Sequence, residues 1–270
     1  MPELPDLEAI RLVLSSQIGG ARIEQVDVLQ PLIIRQPTPD EFKSALTGNT
    51  FSHIERRGKF LLFHLGSGHI MALHLMLVGR LQYCRTQENL RQRTCLIFQL
   101  DNGMQLRYLD SKLMGRVYLV EKRALSVIPR WKEMGPDALD EELTLEVFRQ
   151  RLKRHSGQIK NILLNDKFIT GIGNAYADEI LFEAGIYPFW PQTSLSDEEI
   201  SKLYHGVKSV LVAAVEMLEG RIEDDISVEL RDFLKVHRRG GQPCPSCGQQ
   251  LVQVQTNRRI TTFCRHCQQE

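Results

Sequence analysis

Apolar residues recur in two regimes along this chain, and the change between them outlines its architecture. Leu7, Ile10, Leu14 and Ile18 keep the spacing of one helix face, and Gly19-Gly20 stops the pattern. Short β-rich runs follow at Ile23–Val28, Phe60–Leu65, His69–Leu75, Thr94–Leu100, Gln105–Leu109 and Arg116–Val120. Turn signals such as Gly66-Ser67-Gly68 and Asp101-Asn102-Gly103 separate several of them. Repeated short strands with tight turns predict a sandwich or barrel. A stretch marked by Pro129 and Gly135-Pro136 comes next and reads as a linker. Beyond it the period is helical: Leu145, Phe148 and Leu152 share one face, with a stop near Ser156-Gly157. Ser196 and Glu199 form a capping box before a long helix with Ile200, Leu203, Val207, Val210, Leu211, Ala214 and Leu218 inward. Gly220 is expected in the C′ position that closes it.

A content of 42% hydrophobic and 25% charged residues is that of a soluble globular protein. No apolar run approaches the roughly 18 residues of a membrane span, and no basic-then-apolar leader opens the chain. The expectation is a cytoplasmic protein with no membrane contact. Net charge is only +1, so a nucleic-acid partner requires locally clustered cations. Three clusters exist: Arg56, Arg57 and Lys59; Arg149, Arg151, Lys153, Arg154 and His155; and seven Lys/Arg against three acids over 226–270, Arg239 among them. Any single cluster reads as a solvated face. Three, one beside a cysteine motif, point toward phosphate contact.

Cys244-Pro-Ser-Cys247 and Cys264-Arg-His-Cys267 have the spacing of a four-cysteine zinc site. No ligand position is left open, so the zinc is expected to be structural, one ion per chain. Cys84 and Cys95 lack partner spacing and are expected to be packed strand residues. Between the cysteine pairs, Asn257-Arg258-Arg259-Ile260-Thr261-Thr262-Phe263 reads as a hairpin with paired arginines at its turn, suited to phosphate contact. In Gly171-Ile172-Gly173-Asn174-Ala175-Tyr176, the glycines allow close backbone approach to an anion and Asn174 can cap the following helix. A tight connection between two helices explains that segment equally well. At the N-terminus, removal of Met1 from Met1-Pro2-Glu3-Leu4-Pro5 would free a secondary amine on Pro2. Such α-amino groups titrate near about pH 8, and an amine of this kind forms iminium intermediates with sugar aldehydes. Glu3 beside it is a ready proton shuttle. Alone, these residues fit a proline-led helix start as well.

Together, the Pro-Glu-Leu-Pro opening, the Gly-Ile-Gly-Asn turn and the terminal four-cysteine finger resemble the formamidopyrimidine-DNA glycosylase and endonuclease VIII family, from Pro2 to Cys267. The resemblance implies an α+β multidomain protein. Its parts would be an N-terminal β-sandwich over 1–128 with a catalytic N-terminal helix, a linker at 129–140, a helix–two-turn–helix domain over 141–225 and a zinc finger over 226–270. It implies a base-excision glycosylase and lyase whose partner is double-stranded DNA with oxidised bases or abasic sites, held between the halves by a monomer at the nucleoid. Pro2 would be the nucleophile at C1′ and Glu3 would manage protons at the sugar ring oxygen. Lys59, in Arg57-Gly58-Lys59-Phe60-Leu61, would contact phosphate near the lesion. Asn174 and Arg259, with Arg239, would grip the backbone so that the nucleotide flips out.

Four positions depart from the family pattern. Asp6 stands where glutamate is usual, keeping the charge at the helix start. In His74-Leu75-Met76-Leu77-Val78-Gly79, Leu77 replaces the usual methionine that fills the hole left by the flipped base. In Asp110-Ser111-Lys112-Leu113-Met114-Gly115, Lys112 replaces the arginine facing the orphaned base and Met114 the wedging phenylalanine. Lysine lacks the planar donor fork of arginine, which weakens the expected preference for cytosine opposite the lesion. The short segment from Arg221 to Lys235 is closer to endonuclease VIII and favours oxidised pyrimidines over 8-oxoguanine. The competing expectation is a damaged-DNA-binding protein without turnover, the outcome if Met1 stays on. An RNA-associated protein is a third, without support from the N-terminal motif.

Overall fold

The computed structural model describes residues 1–223, 225–256 and 259–269. It divides into two compact units, Met1–Lys132 with Val215–Glu229 and Glu133–Ala214 with Leu230–Glu270. Among the described residues, no helix is long and apolar enough to cross a membrane.

The first unit begins with α1, Leu4–Ile18, whose Leu7, Ile10, Leu14 and Ile18 are all buried. Pro5 sits in its first turn, where an N–H would have no partner anyway. The strands and helix that follow are β1 (Ile23–Val28), β2 (Ile34–Gln36), α2 (Pro39–Leu46), β3 (Phe51–Arg57), β4 (Phe60–Leu65), β5 (His69–His74), β6 (Arg80–Arg85), β7 (Thr94–Leu100), β8 (Met104–Leu109) and β9 (Arg116–Glu121). They form a four-stranded sheet ordered β1-β7-β8-β6 and a five-stranded sheet ordered β2-β9-β5-β4-β3. Phe51 of one sheet meets Phe98 of the other at 6.2 Å, edge to face, and Phe42 of α2 meets the same Phe98 at 6.4 Å. The aromatic core of the sandwich thus takes rings from both sheets and from α2. Cys84 and Cys95 are buried strand residues, as expected, and burial pushes both thiols up.

Two strands of this unit depart from simple alternation, and one helix carries a signal of another kind. β3 buries Phe51 and Ile54, three residues apart, because its pairing with β4 shifts register between Phe51 and His53. β6 buries Gln82 beside Leu81, so its outward face reads as apolar too little to announce a strand. α2 is announced by Thr38 and Glu41, which form a capping box, with Phe42 and Leu46 buried one turn apart.

The second unit contains α3 (Leu145–Leu152), α4 (Ile159–Leu163), α5 (Asn174–Ala184), most of α6 (Asp197–Glu219) and the hairpin β10 (Val252–Thr256) and β11 (Arg259–Phe263). Ser196 and Glu199 exchange the two capping hydrogen bonds expected of them, at 2.7 and 3.2 Å. α6 stops after Glu219 as expected, but Gly220 does not take a left-handed conformation. That device closes α5 instead: Gly185 has φ 69°, and the Ile186 N–H reaches the Leu181 carbonyl at 2.9 Å. The Pro- and Gly-marked stretch is bonded chain rather than free chain, since the N–H groups of Gly135 and Ala138 donate to the carbonyls of Asp166 and Thr170.

Candidate functional site

The N-terminal candidates stand where α1 begins. Pro2 and Glu3 are both buried, and the Glu3 N–H donates to Asp6 Oδ2 at 2.7 Å. Aspartate at position 6 therefore does structural work that its charge alone would not reveal: it holds the backbone of the residue beside the candidate nucleophile. The Met1 amine lies 3.5 Å from Glu229 Oε1, and Arg80 pairs with the same carboxylate.

Lys59 is buried in the two-residue turn joining β3 to β4, behind Gly58 at φ 57°. The turn is tied to the helix through Arg56, whose Nε meets Glu8 Oε2 at 2.7 Å and whose Nη1 donates to the Gly58 carbonyl at 3.2 Å. Glu8 also meets Arg11 at 2.6 Å. Burial raises the affinity of Glu8 for a proton, but its hydrogen bond to Arg11 and the charge of Arg56 outweigh this. The carboxyl is held below its ordinary range.

Leu77, Lys112 and Met114 lie on two loops, β5–β6 and β8–β9, and all three are exposed. Both loops close on one hydroxyl. A Cβ built on Gly79 would stand 2.7 Å from Tyr108 Oη, and one on Gly115 only 1.9 Å from it. The hydroxyl donates to Asp110 Oδ2 at 3.1 Å, and the same oxygen accepts the Gly115 N–H at 2.7 Å. Asp110 Oδ1 accepts the Lys112 N–H at 2.9 Å. Burial and the Asp110 charge keep the Tyr108 hydroxyl protonated. Sequence reading assigned roles to Lys112 and Met114 but missed Tyr108. Its signal was the pair of glycines, Gly79 and Gly115, flanking the two loops.

In the second unit Asn174 does not cap α5. Gly173 occupies the cap position, and Asn174 Nδ2 donates to the Ile260 carbonyl of β11 at 2.8 Å. Lys160 Nζ donates to the same carbonyl at 3.0 Å, to Thr261 Oγ1 at 2.8 Å, and lies 2.6 Å from Asp178 Oδ1. Asp178, wholly buried, holds the His237 ring at 2.7 Å and accepts the Thr262 N–H at 3.2 Å. Its neighbour Glu179 accepts the N–H groups of Lys235, Val236 and His237. Burial nevertheless raises the Glu179 carboxyl above its ordinary range, with Asp178 adding to the shift against those three donors. This network joins α4, α5 and β11, and it fixes the strand on which Arg259 sits exposed as first residue. Asn257 and Arg258, expected at the turn, lie outside the described residues. Arg239 is half-buried and donates to the Asp232 carbonyl at 2.5 Å.

The basic clusters are less available than their charge suggests. Arg56 is engaged by Glu8, and Arg57 lies over the Trp131 ring at 4.6 Å. Arg149 pairs with Asp197, and Arg151 donates to the carbonyls of Phe168 and Lys167. Arg56 and Arg151 thus spend donors on acceptors inside the protein.

Cys244, Cys247, Cys264 and Cys267 bring their sulfurs within 4.8 Å of one another, in a position to hold a metal ion. Two Sγ–Sγ distances are 3.8 and 3.5 Å. A tetrahedron with bonds of about 2.3 Å has edges of about 3.8 Å, so the donor set fits a four-coordinate ion. Phe182, Val236 and Leu251 pack against the cluster and bury Cys244 and Cys264, while Cys247 and Cys267 stay half-buried.

Two family models match the chain: the formamidopyrimidine-DNA glycosylase N-terminal domain over residues 1–117, and the formamidopyrimidine-DNA glycosylase H2TH domain over 134–225. The formamidopyrimidine-DNA glycosylase of Pelotomaculum thermopropionicum is 37% identical over 273 residues, 99% of each chain. That of Listeria innocua is 36% identical, over 99% of this chain and all of the relative. Among solved structures, a Lactococcus lactis Fpg mutant bound to DNA containing Fapy-dG superposes with a TM-score of 0.91 at 27% identity, covering both chains fully. The Lactococcus lactis Fpg complex with abasic-site DNA gives 0.91 and 27% over 99% of this chain and all of that one.

Proposed function

The chain belongs to the formamidopyrimidine-DNA glycosylase family, and from that premise we propose how its own residues act. It is a DNA glycosylase for oxidised bases, acting on double-stranded DNA. The observation that carries the mechanism is the buried Pro2-Glu3 pair at the start of α1, its backbone held by Asp6. With Met1 removed, the Pro2 nitrogen attacks C1′ of the damaged nucleotide and the C1′–N bond to the base breaks, the base leaving with a proton. Glu3 delivers a proton to the ring oxygen as the C1′–O4′ bond opens, leaving an iminium between Pro2 and C1′. The iminium draws electrons from C2′. Loss of the C2′ proton expels the 3′ phosphate, and a second elimination expels the 5′ phosphate. Water then releases Pro2 from the sugar fragment.

Lys59 holds the phosphate beside the lesion. Asn174, Arg259 and Arg239 grip the backbone and allow the nucleotide to flip. Leu77 and Met114 fill the space it leaves, and Lys112 faces the orphaned base. Zinc is the ion that four thiolates of this spacing select, and it braces the β10–β11 hairpin without touching the reacting atoms. The lesion set is formamidopyrimidines and oxidised pyrimidines above 8-oxoguanine, resting on the short Arg221–Lys235 segment, while Lys112 weakens the preference for cytosine opposite the lesion. The protein works as a monomer, at the nucleoid where its substrate is.

Borohydride trapping on a duplex with one abasic site tests the mechanism. Protein lacking Met1 is expected to give a covalent adduct that vanishes when the N-terminus is extended. Tight binding without an adduct would replace this reading with that of a damage-binding protein. Comparable excision of 8-oxoguanine and dihydrouracil from matched duplexes would refute the lesion preference.

A further inference from the structure

On β3 and β4, away from the cysteines in sequence and in a different unit, three more metal-capable side chains converge. Antiparallel register sets His53 opposite His64, and Glu55 follows two residues later on the same face of β3. Glu55 stands between the rings: His53 Nε2 is 3.3 Å from Oε1 and His64 Nε2 is 3.1 Å from Oε2. The two imidazoles stack at 4.0 Å with 14° between planes, and all three donor atoms lie within 4.8 Å of one another. We infer that His53, Glu55 and His64 form a second metal site, for a divalent transition ion of borderline softness such as Zn2+ or Co2+.

Three observations support it. Donors at bond lengths of about 2.0–2.2 Å around a tetrahedral ion stand about 3.4 Å apart, so both histidine–carboxylate distances need little change. For both ring nitrogens to meet one ion, the exposed His53 ring must turn out of its stack on His64. The tautomer is also prepared: Ser52 Oγ lies 3.1 Å from His53 Nδ1 and donates its own proton to the His64 carbonyl at 3.1 Å. With that proton committed, Ser52 Oγ can only accept from Nδ1–H, which leaves the Nε2 lone pair for a ligand bond. Two imidazoles and one carboxylate select Zn2+, Co2+, Ni2+ or Cu2+ over Mg2+ and Ca2+, and the fourth position falls to solvent. The ion would strap together the two strands whose connecting turn carries Lys59.

The test uses full-length protein with zinc already filling the thiolate site, to which Co2+ is added. One further equivalent is expected, with weak visible absorption and no near-ultraviolet thiolate charge-transfer band. His53→Ala/His64→Ala is expected to take up none while keeping its zinc and its far-ultraviolet circular dichroism. Ser52→Ala, which leaves every ligand in place, is expected to weaken uptake about 10–100-fold. Absence of uptake by the parent protein, uptake unchanged by the histidine replacements, or a thiolate band would each overturn the assignment.

Discussion

In the first unit, the loops carrying Leu77, Lys112 and Met114 are held by close packing on one neutral hydroxyl, that of Tyr108. In the second, Asn174 and the strand of Arg259 hang from buried charge, that of Asp178 and Lys160. The two devices fail differently. A packed contact is sensitive above all to volume. A buried ion pair tolerates small changes of shape, but losing one partner leaves the other desolvated and alone. The same task, holding a side chain of the proposed DNA-contacting set, is thus exposed to different mutations in the two halves.

The largest expected effect separates them at once. Asp178→Asn keeps the shape but leaves Lys160 buried without its carboxylate, a loss of about 3–5 kcal/mol, read as a fall in thermal midpoint. Adding Lys160→Met should restore much of it, since the pair costs desolvation that an apolar side chain does not. Failure of the second change to help would mean that the hydrogen bonds to Thr261 and Ile260, rather than the charge pair, carry the network. Next in size is Gly115→Ala, whose Cβ would stand 1.9 Å from Tyr108 Oη. Overpacking of this kind costs about 1–3 kcal/mol. Tyr108→Phe in the same chain should recover part of the loss by removing the hydroxyl. No recovery would show that the ring carbons, the nearest 2.7 Å from that Cβ, and not the hydroxyl set the limit.

Two glutamates sharpen the contrast through pH. Glu8 is held below its ordinary range, so in the folded state it gives up its proton more readily than in the unfolded chain. Its contribution is present above the ordinary carboxylate pKa and is lost as pH falls through the lowered one. Glu179 is raised, so the folded state binds its proton more tightly. Its contribution is present below the ordinary pKa and is lost as pH rises through the raised one. Glu8→Gln should therefore flatten the acid limb of the stability curve, by about 1 kcal/mol at neutral pH, and Glu179→Gln should flatten the opposite slope. Denaturant midpoints across mildly acidic pH would check both, and slopes of the same sign would refute the pairing.

Legibility in the sequence followed the range of the interaction. The start of α1, the Ser196–Glu199 cap and the cysteine pairs are local patterns, and each stands where its spacing predicts. β3 was hidden because a register shift breaks its alternation. α2 carried a readable capping box at Thr38 and Glu41 that was passed over. The Tyr108 contact joins β8 to glycines on two separate loops, and the Asp178 network joins residues up to 101 positions apart. Neither has a local signature. The charge clusters are incompletely legible for the same reason: the sequence displays Arg56 and Arg151 but not the partners that occupy them.

The smallest effect tests whether the second unit's network has a purpose beyond stability. Arg259 is exposed and makes its contribution to DNA, on the present reading, through one phosphate. Arg259→Ala should leave the thermal midpoint unchanged, weaken binding similarly for different sequences, and make the slope of log affinity against log salt about one unit shallower. Lys160→Met with Asp178→Asn keeps that arginine but loosens the Ile260 carbonyl that follows it. If the network only stabilises, this variant keeps the parent slope once folded. If the network aims Arg259, the slope falls toward that of Arg259→Ala although the charge is still present. A shallower slope in both variants would establish that buried charge in this unit positions surface charge; a change in neither would remove Arg259 from the phosphate contacts.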